Sequence, residues 1–194
     1  MQKLELLVLS LILAATLGTS KTLLAKDSYS LGVVPQYDVR RIQQIWSPIL
    51  EKIRNDTGID IRLSASPDIP AFEKQFTTGD FDFAYMNPYH LLEANKQQGY
   101  LPVVRDNGRK LYGVIVVRKD SPIHTVADLA GQTVAFPAPN ALGAALIPRA
   151  EFSNKFKIDI SPRYVKNHTS VYLNVLLGQA AAGGGVQKTF DQQR

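Results

Sequence analysis

The sequence predicts an α/β protein built as two doubly wound lobes with a cleft between them. Three observations carry this. Short apolar runs alternate with helical patterns through residues 29–104, an order that builds a parallel sheet with helices on its faces. The alternation starts afresh after Asp120-Ser121-Pro122, which sets a second lobe behind a crossing strand. And four apolar runs end in a few polar or turn residues from which a helical pattern begins. These junctions are Val33-Val34-Pro35-Gln36-Tyr37-Asp38, Ala84-Tyr85-Met86-Asn87-Pro88-Tyr89, Ala135-Phe136-Pro137-Ala138-Pro139-Asn140 and Val165-Lys166-Asn167-His168-Thr169-Ser170. In open parallel sheets ligands sit beyond the carboxyl ends of the strands, where such junctions gather.

Residues 29–34 read as a short apolar strand. A helix is expected over 39–55, because Val39, Ile42, Ile45, Trp46, Ile49, Leu50 and Ile53 fall at helical spacing. Pro48 inside it predicts a kink or a restart, and Thr57-Gly58 supplies the stop. Residues 59–65 alternate like a strand. Residues 67–70 turn into a helix over 71–77 that stops at Gly79, and 81–85 form the next strand. A helix over 88–98 ends at Gly99, and 101–104 read as a further strand. Asp106-Asn107-Gly108 is a turn, and 111–118 read as a buried strand crossing to the second lobe.

The second half is expected to place a short helix over 126–130 with Thr125 as its cap, then a strand over 132–136. A helix over 141–152 carries Pro148, which argues for a kink. A strand over 161–165 and a helix over 170–177 follow, and 180–186 is either a strand or a glycine-rich turn. The two halves share a plan without sharing a sequence repeat. The expected division is 1–25 leader, 26–108 first lobe, 109–194 crossing strand and second lobe.

The leader is expected because residues 6–17 form an apolar run of secretory length behind Lys3, too short to span a membrane. Cleavage is expected after Ala25, with Ser20 as the other option and an uncleaved anchor as the alternative. Removal takes out two lysines (Lys3, Lys21) and Glu5, so the formal charge falls from +5 to +4. The absence of cysteine excludes disulfides, thiolate metal sites and anchoring through a lipidated N-terminal cysteine. No basic run interleaved with aromatics supports nucleic-acid binding. His90, His124 and His168 are scattered without metal-ligand spacing, and no G-x-S-x-G elbow occurs. The composition therefore points to a binding protein working without metal, cofactor or covalent chemistry, and away from an enzyme.

Helix starts present free N–H groups and a partial positive charge, so several in one cleft suit a small anion. Tyr37 can reach such a cleft, with Asp38 capping the helix behind it; the alternative is a capped helix with an exposed tyrosine. Tyr85 and Asn87 end a strand at the same cleft, as ligand contacts or as a core tyrosine followed by an Asn-Pro turn. Asn140 is either a ligand donor or a cap. His168, Thr169 and Ser170 supply a ring N–H and two hydroxyls at a helix start, where a plain N-cap is the competing reading. Arg149 and Lys166 are either anion partners or, the safer reading for each, solvated surface charges. Gly183-Gly184-Gly185 lacks the Lys-Ser/Thr of a phosphate loop, so close backbone packing or a hinge is expected there.

The stretch Gly79-Asp80-Phe81-Asp82-Phe83-Ala84-Tyr85-Met86-Asn87-Pro88-Tyr89-His90 resembles the strand and following loop of the periplasmic phosphate/phosphite/phosphonate-binding proteins of ABC transporters. So do Leu111-Tyr112-Gly113, Val117-Arg118-Lys119-Asp120-Ser121-Pro122-Ile123 and Asp128-Leu129-Ala130-Gly131-Gln132-Thr133-Val134-Ala135-Phe136. The resemblance implies the type II periplasmic-binding fold, two lobes closing on a small oxyanion, and delivery to a membrane permease of an ABC transporter by a monomeric periplasmic protein. It implies that His168 matches the family's ligand-contacting histidine. It also implies a final return segment completing the first lobe, which is missing here. The family's Ser/Thr-rich helix start is replaced by Pro139-Asn140-Ala141-Leu142-Gly143, so the hydroxyls there are absent. The run Ala182-Gly183-Gly184-Gly185-Val186-Gln187-Lys188-Thr189-Phe190 is similar to a subgroup whose ligands are unassigned. Two other roles stay open: a periplasmic sensing subunit for a membrane kinase or chemoreceptor, and a truncated remnant without function.

Overall fold

A computed structural model describes residues 26–108 and 110–193; the expected leader lies outside the described residues. The first half alternates strictly: β1 (Tyr29–Val33), α1 (Val39–Thr57), β2 (Ile61–Ser64), α2 (Ile69–Thr78), β3 (Phe83–Tyr85) and α3 (Pro88–Gln98). Its three strands are parallel in the order β2-β1-β3, with Leu31 opposite Leu63 on one side and Phe83 on the other. Local chemistry fixes the helix ends. Asp38, Asp68 and Asn87 each accept a backbone N–H from the first turn of the helix they precede. Gly58, Gly79 and Gly99 end the same helices at φ of 74°, 79° and 74°, a conformation that favours glycine. α1 runs through Pro48 as one helix and does not restart.

The second half contains β4 (Gly113–Val116), a 3₁₀ turn (Val126–Leu129) and β5 (Thr133–Phe136). A π-turn (Leu142–Leu146) then leads into α4 (Ile147–Asn154), followed by β6 (Ser161–Tyr164), α5 (His168–Leu176), β7 (Ala182–Val186) and α6 (Gln187–Asp191). The sheet order is β4-β7-β5-β6, with β4 antiparallel to β7 and the other pairs parallel. The last strand in sequence therefore lies inside the sheet.

Several expectations are corrected. Residues 101–104 are not a strand, and Leu101, Val103 and Val104 are 74%, 83% and 89% exposed. A strand needs a hydrogen-bonded neighbour; among the described residues none lies along the outer edge of β3, and Pro102 has no N–H to offer. The helix expected over 141–152 opens as a π-turn, with Leu146 N–H reaching back to the Ala141 carbonyl. Pro148 falls in the first turn of α4, where a missing N–H costs little. The helix expected over 126–130 is a single 3₁₀ turn. Residues 182–186 form a strand and not a turn, and α6 follows it where no element was expected.

The glycines of β7 are there for space. A Cβ on Gly184 would meet the Ala144 carbonyl oxygen at 2.0 Å, and one on Gly183 would meet Val171 at 2.5 Å. Neighbouring glycines thus let β7 press against the π-turn on one face and α5 on the other. The main apolar cluster runs through both halves, from Ile69, Phe72, Phe76 and Phe81 by way of Val34 to Val134, Phe136, Ala144 and Phe152. Burying each large side chain of this set contributes about 1.5–3 kcal/mol. No helix among the described residues is long and apolar enough to cross a membrane.

Candidate functional site

The residues that follow β1 and β5 at their carboxyl ends are buried. Pro35 and Pro137, one from each junction, are both fully buried. The backbone N–H of His168, at the start of α5, donates to the Gln36 carbonyl across the cleft at 3.2 Å. The first and fourth junctions are thereby brought together.

Tyr37 is buried, 5% exposed, and its hydroxyl donates to Gln192 Oε1 at 2.5 Å. Burial raises its pKa, the Arg41 guanidinium opposes that, and Tyr85 adds to it. Arg41 lies over the Tyr37 ring at 5.2 Å. Tyr85 is 44% exposed and packs on Trp46 of α1 with ring centroids 5.0 Å apart. Tyr37, Arg41, Trp46 and Tyr85 thus make an aromatic wall with one cation at the first junction.

Asn87 caps α3: its Oδ1 accepts the His90 N–H at 2.9 Å. Asn140 bridges the halves through its amide nitrogen, which donates to Glu73 Oε2 at 3.2 Å. The other Glu73 oxygen pairs with His90 Nε2 at 3.0 Å. His90 is fully buried between Phe72 and Phe76, and its Nδ1 has no hydrogen-bond partner among the described residues. Nε2 is the ring nitrogen placed to donate, because it faces a carboxylate, whereas a proton on Nδ1 would be buried without an acceptor.

His168 is 3% exposed, and burial pushes its pKa down to about 4. The ring is therefore a neutral imidazole at ordinary pH. Its Nδ1 lies 3.1 Å from Thr189 Oγ1, and the Thr189 hydroxyl donates to the Val186 carbonyl at 2.8 Å. The Tyr172 hydroxyl stands 2.7 Å from the same Thr189 oxygen. With its own proton given to Val186, Thr189 can accept from Tyr172 O–H and from His168 Nδ1–H. The cap of α5 is Asn167, whose Oδ1 accepts the Ser170 N–H at 2.8 Å. Thr169 and Ser170 sit half-buried in the first turn behind it. Lys166 precedes this cap at φ 79°, a conformation uncommon for a residue with a side chain.

The structure brings Tyr37, Tyr85 and His168 to facing junctions and places Asn140 across the cleft from Glu73. It turns the Asn87 side-chain oxygen toward its own helix. Sequence reasoning missed Asn167, Glu73, His90, Thr189 and Gln192 in these roles. Asn167 was findable, three residues before Ser170 in the pattern that Asp38 and Asn87 follow. Glu73 and His90 lie within helices and become partners only when α2 packs on α3. Thr189 and Gln192 belong to a segment that carries no pattern of its own.

Among the described residues no three potential metal ligands come together. A small cavity of about 50 Å³ lies between Val33, Val39, Ser64 and Ser66, at the carboxyl ends of β1 and β2. A larger concavity of about 550 Å³ opens elsewhere, lined by Arg118, Asp120, Asp128 and Gln132. It lies at the amino ends of β5 and β7, and its Arg118 is already paired with Asp120. The junction side is the better candidate, because there helix starts, neutral donors and aromatic rings converge.

A family model described as the periplasmic substrate-binding protein of ABC phosphonate transporters matches residues 31–194. The chain is 23% identical over 131 residues to the phosphonates-binding periplasmic protein of Escherichia coli K12. That match covers 63% of this chain and 39% of the relative, so the chain spans well under half of the relative's length. Among solved structures, a binding protein component of an ABC phosphonate transporter from Pseudomonas aeruginosa superposes with a TM-score of 0.72 at 16% identity. That alignment covers 87% of this chain and 60% of the other. PhnD1 from Prochlorococcus marinus, solved in complex with methylphosphonate, gives 0.74 at 14% identity, over 85% of this chain and 65% of that one. These likenesses show the type II periplasmic-binding fold.

Proposed function

The chain belongs to the family of periplasmic substrate-binding proteins of ABC phosphonate transporters, and from that premise we propose that it captures a small oxyanion for import. The ligand class is phosphate, phosphite or a phosphonate. The mechanism is reversible closure of the two halves around it, followed by presentation to a membrane permease. Tyr37, Tyr85, Asn140 and His168 are the side chains proposed to meet the ligand, with Thr169 and Ser170 behind them and Asn87 holding the start of α3.

The observation that supports this reading best is the meeting of two strand-to-helix junctions across the cleft, with His168 N–H on the Gln36 carbonyl and the Tyr37 hydroxyl beside them. Helix starts offer backbone N–H groups and a favourable dipole to an anion. A phenol gives a ligand oxygen a hydrogen bond without forming an ion pair, and the neutral His168 ring does so in the tautomer that carries its proton on Nε2 while Nδ1 accepts from the Thr189 hydroxyl. The hydroxyl-poor start Asn140-Ala141-Leu142-Gly143 favours a ligand gripped mainly by backbone groups and by Asn140.

The test is a thermal melt against methylphosphonate, phosphite, phosphate and sulfate. A ligand at one hundred times its dissociation constant should add about 2.7 kcal/mol to stability. A midpoint raised by a phosphorus oxyanion and not by sulfate is the expected result. A midpoint moved by none of the four would remove the oxyanion assignment.

A further inference from the structure

We propose that Gln192 and Glu73 are built-in surrogate acceptors, whose side-chain oxygens take the hydrogen bonds that Tyr37 and Asn140 would give a ligand and so hold the two halves together. The proposal rests on the cleft reading above. Tyr37 of the first half donates to Gln192 of the second, at 2.5 Å. Asn140 of the second half donates to Glu73 of the first, at 3.2 Å. Each half thus gives one donor and one acceptor, and the two bonds cross the cleft in opposite directions.

Glu73 is held in place by a further contact of its own, and Gln192 by the chain on either side of it. Glu73 spends its other oxygen on His90 Nε2 at 3.0 Å, and His90 is fully buried among Phe72 and Phe76. Swinging Glu73 away would leave that ring N–H buried without its acceptor, which is costly. Gln192 follows α6, whose Thr189 is fully buried and bonded to the Val186 carbonyl. Gln193 closes back onto the Thr189 carbonyl at 2.9 Å. Glu73 is therefore a fixed group, and the exposed Gln192 side chain rises from an anchored stretch of backbone.

A phenol has one proton to give. A ligand oxygen that takes the Tyr37 proton must displace Gln192, and an oxyanion approaching Asn140 must also overcome the Glu73 carboxylate. Binding then becomes an exchange of acceptors, and apparent affinity is reduced by whatever fraction of the protein holds the internal bonds. Removing the surrogates opens the cleft and tightens binding.

The chain has no cysteine, so a spin-label pair at Lys96→Cys and Glu151→Cys reports the distance between the halves. Without added ligand, the native chain should give one short distance, and the Gln192→Ala, Glu73→Ala double variant a longer one. Gln192→Ala alone, at an exposed position, keeps the test readable if Glu73→Ala does not fold. Tyr37→Phe deletes the same bond from the donor side and should lengthen the distance as Gln192→Ala does. An unchanged distance in Gln192→Ala, or disagreement between these two single variants, would overturn the proposal. Titrated with methylphosphonate, the Gln192→Ala chain should bind at least about threefold more tightly; equal or weaker binding would also overturn it. If neither chain binds methylphosphonate, the ligand assignment falls and the distance shift alone decides the surrogate bonds.

Discussion

His168 is a histidine that folding makes hard to charge. Burial lowers its pKa from 6.5 to about 4, so the unfolded chain binds its proton more readily than the folded one. The sign follows: the stabilising effect is complete above pH 6.5 and is lost as pH falls from 6.5 towards 4. At the lower end the loss is roughly 3 kcal/mol, about 1.4 per pKa unit. Melting midpoints from pH 7.5 to 4 should fall more steeply for the native chain than for His168→Gln, and parallel curves would show that another group carries the effect. Asp82 does not confuse this window, because Lys26 and Ser30 hold its carboxyl at about 2, so its contribution is lost only below its ordinary value of 3.8. The sequence showed His168 as a helix-start residue next to two hydroxyls. It did not show the burial, because Thr189 and Tyr172 reach the ring from elements that touch only in the folded protein.

β7 behaves as a spacer made of backbone. Gly184→Ala places a methyl group 2.0 Å from the Ala144 carbonyl oxygen and 2.5 Å from the Phe136 ring. A backbone oxygen cannot rotate out of the way, so the sheet and the π-turn must separate. The expected cost is about 1–3 kcal/mol or more, the range of overpacked cores, read as a lower urea midpoint. A midpoint within error of the native chain would mean that the π-turn yields freely. The capped helices were legible in the sequence, because Asp38, Asp68 and Asn87 at one end and Gly58, Gly79 and Gly99 at the other act within a single turn of chain. Residues 101–104 misled, because their apolar pattern is real but strand formation depends on a neighbour. The π-turn misled for a different reason: Pro148 announced an irregularity without saying on which side of it the hydrogen bonding would change.

For the whole molecule, export is the premise that the family membership supplies. Cleavage after Ala25 should leave Lys26 as the first residue, and its Nζ sits 2.5 Å from Asp82 beside β3. Mass spectrometry of the periplasmic protein should find a chain beginning at Lys26; a mass that retains Met1 would refute processing. The alternating α/β plan was readable from the order of apolar runs alone. The placement of β7 was not, because strand order in a sheet is decided by packing and not by position in the chain. That placement bears on the timing of folding. β4 cannot pair with its neighbour, nor can the second sheet join its two sides, until residues 182–186 are available to slot between β4 and β5. A chain assembled from such distant pairings closes slowly. For a polypeptide that crosses a membrane in extended form, a late-arriving keystone strand keeps the second half threadable through a pore until residues 182–186 have passed.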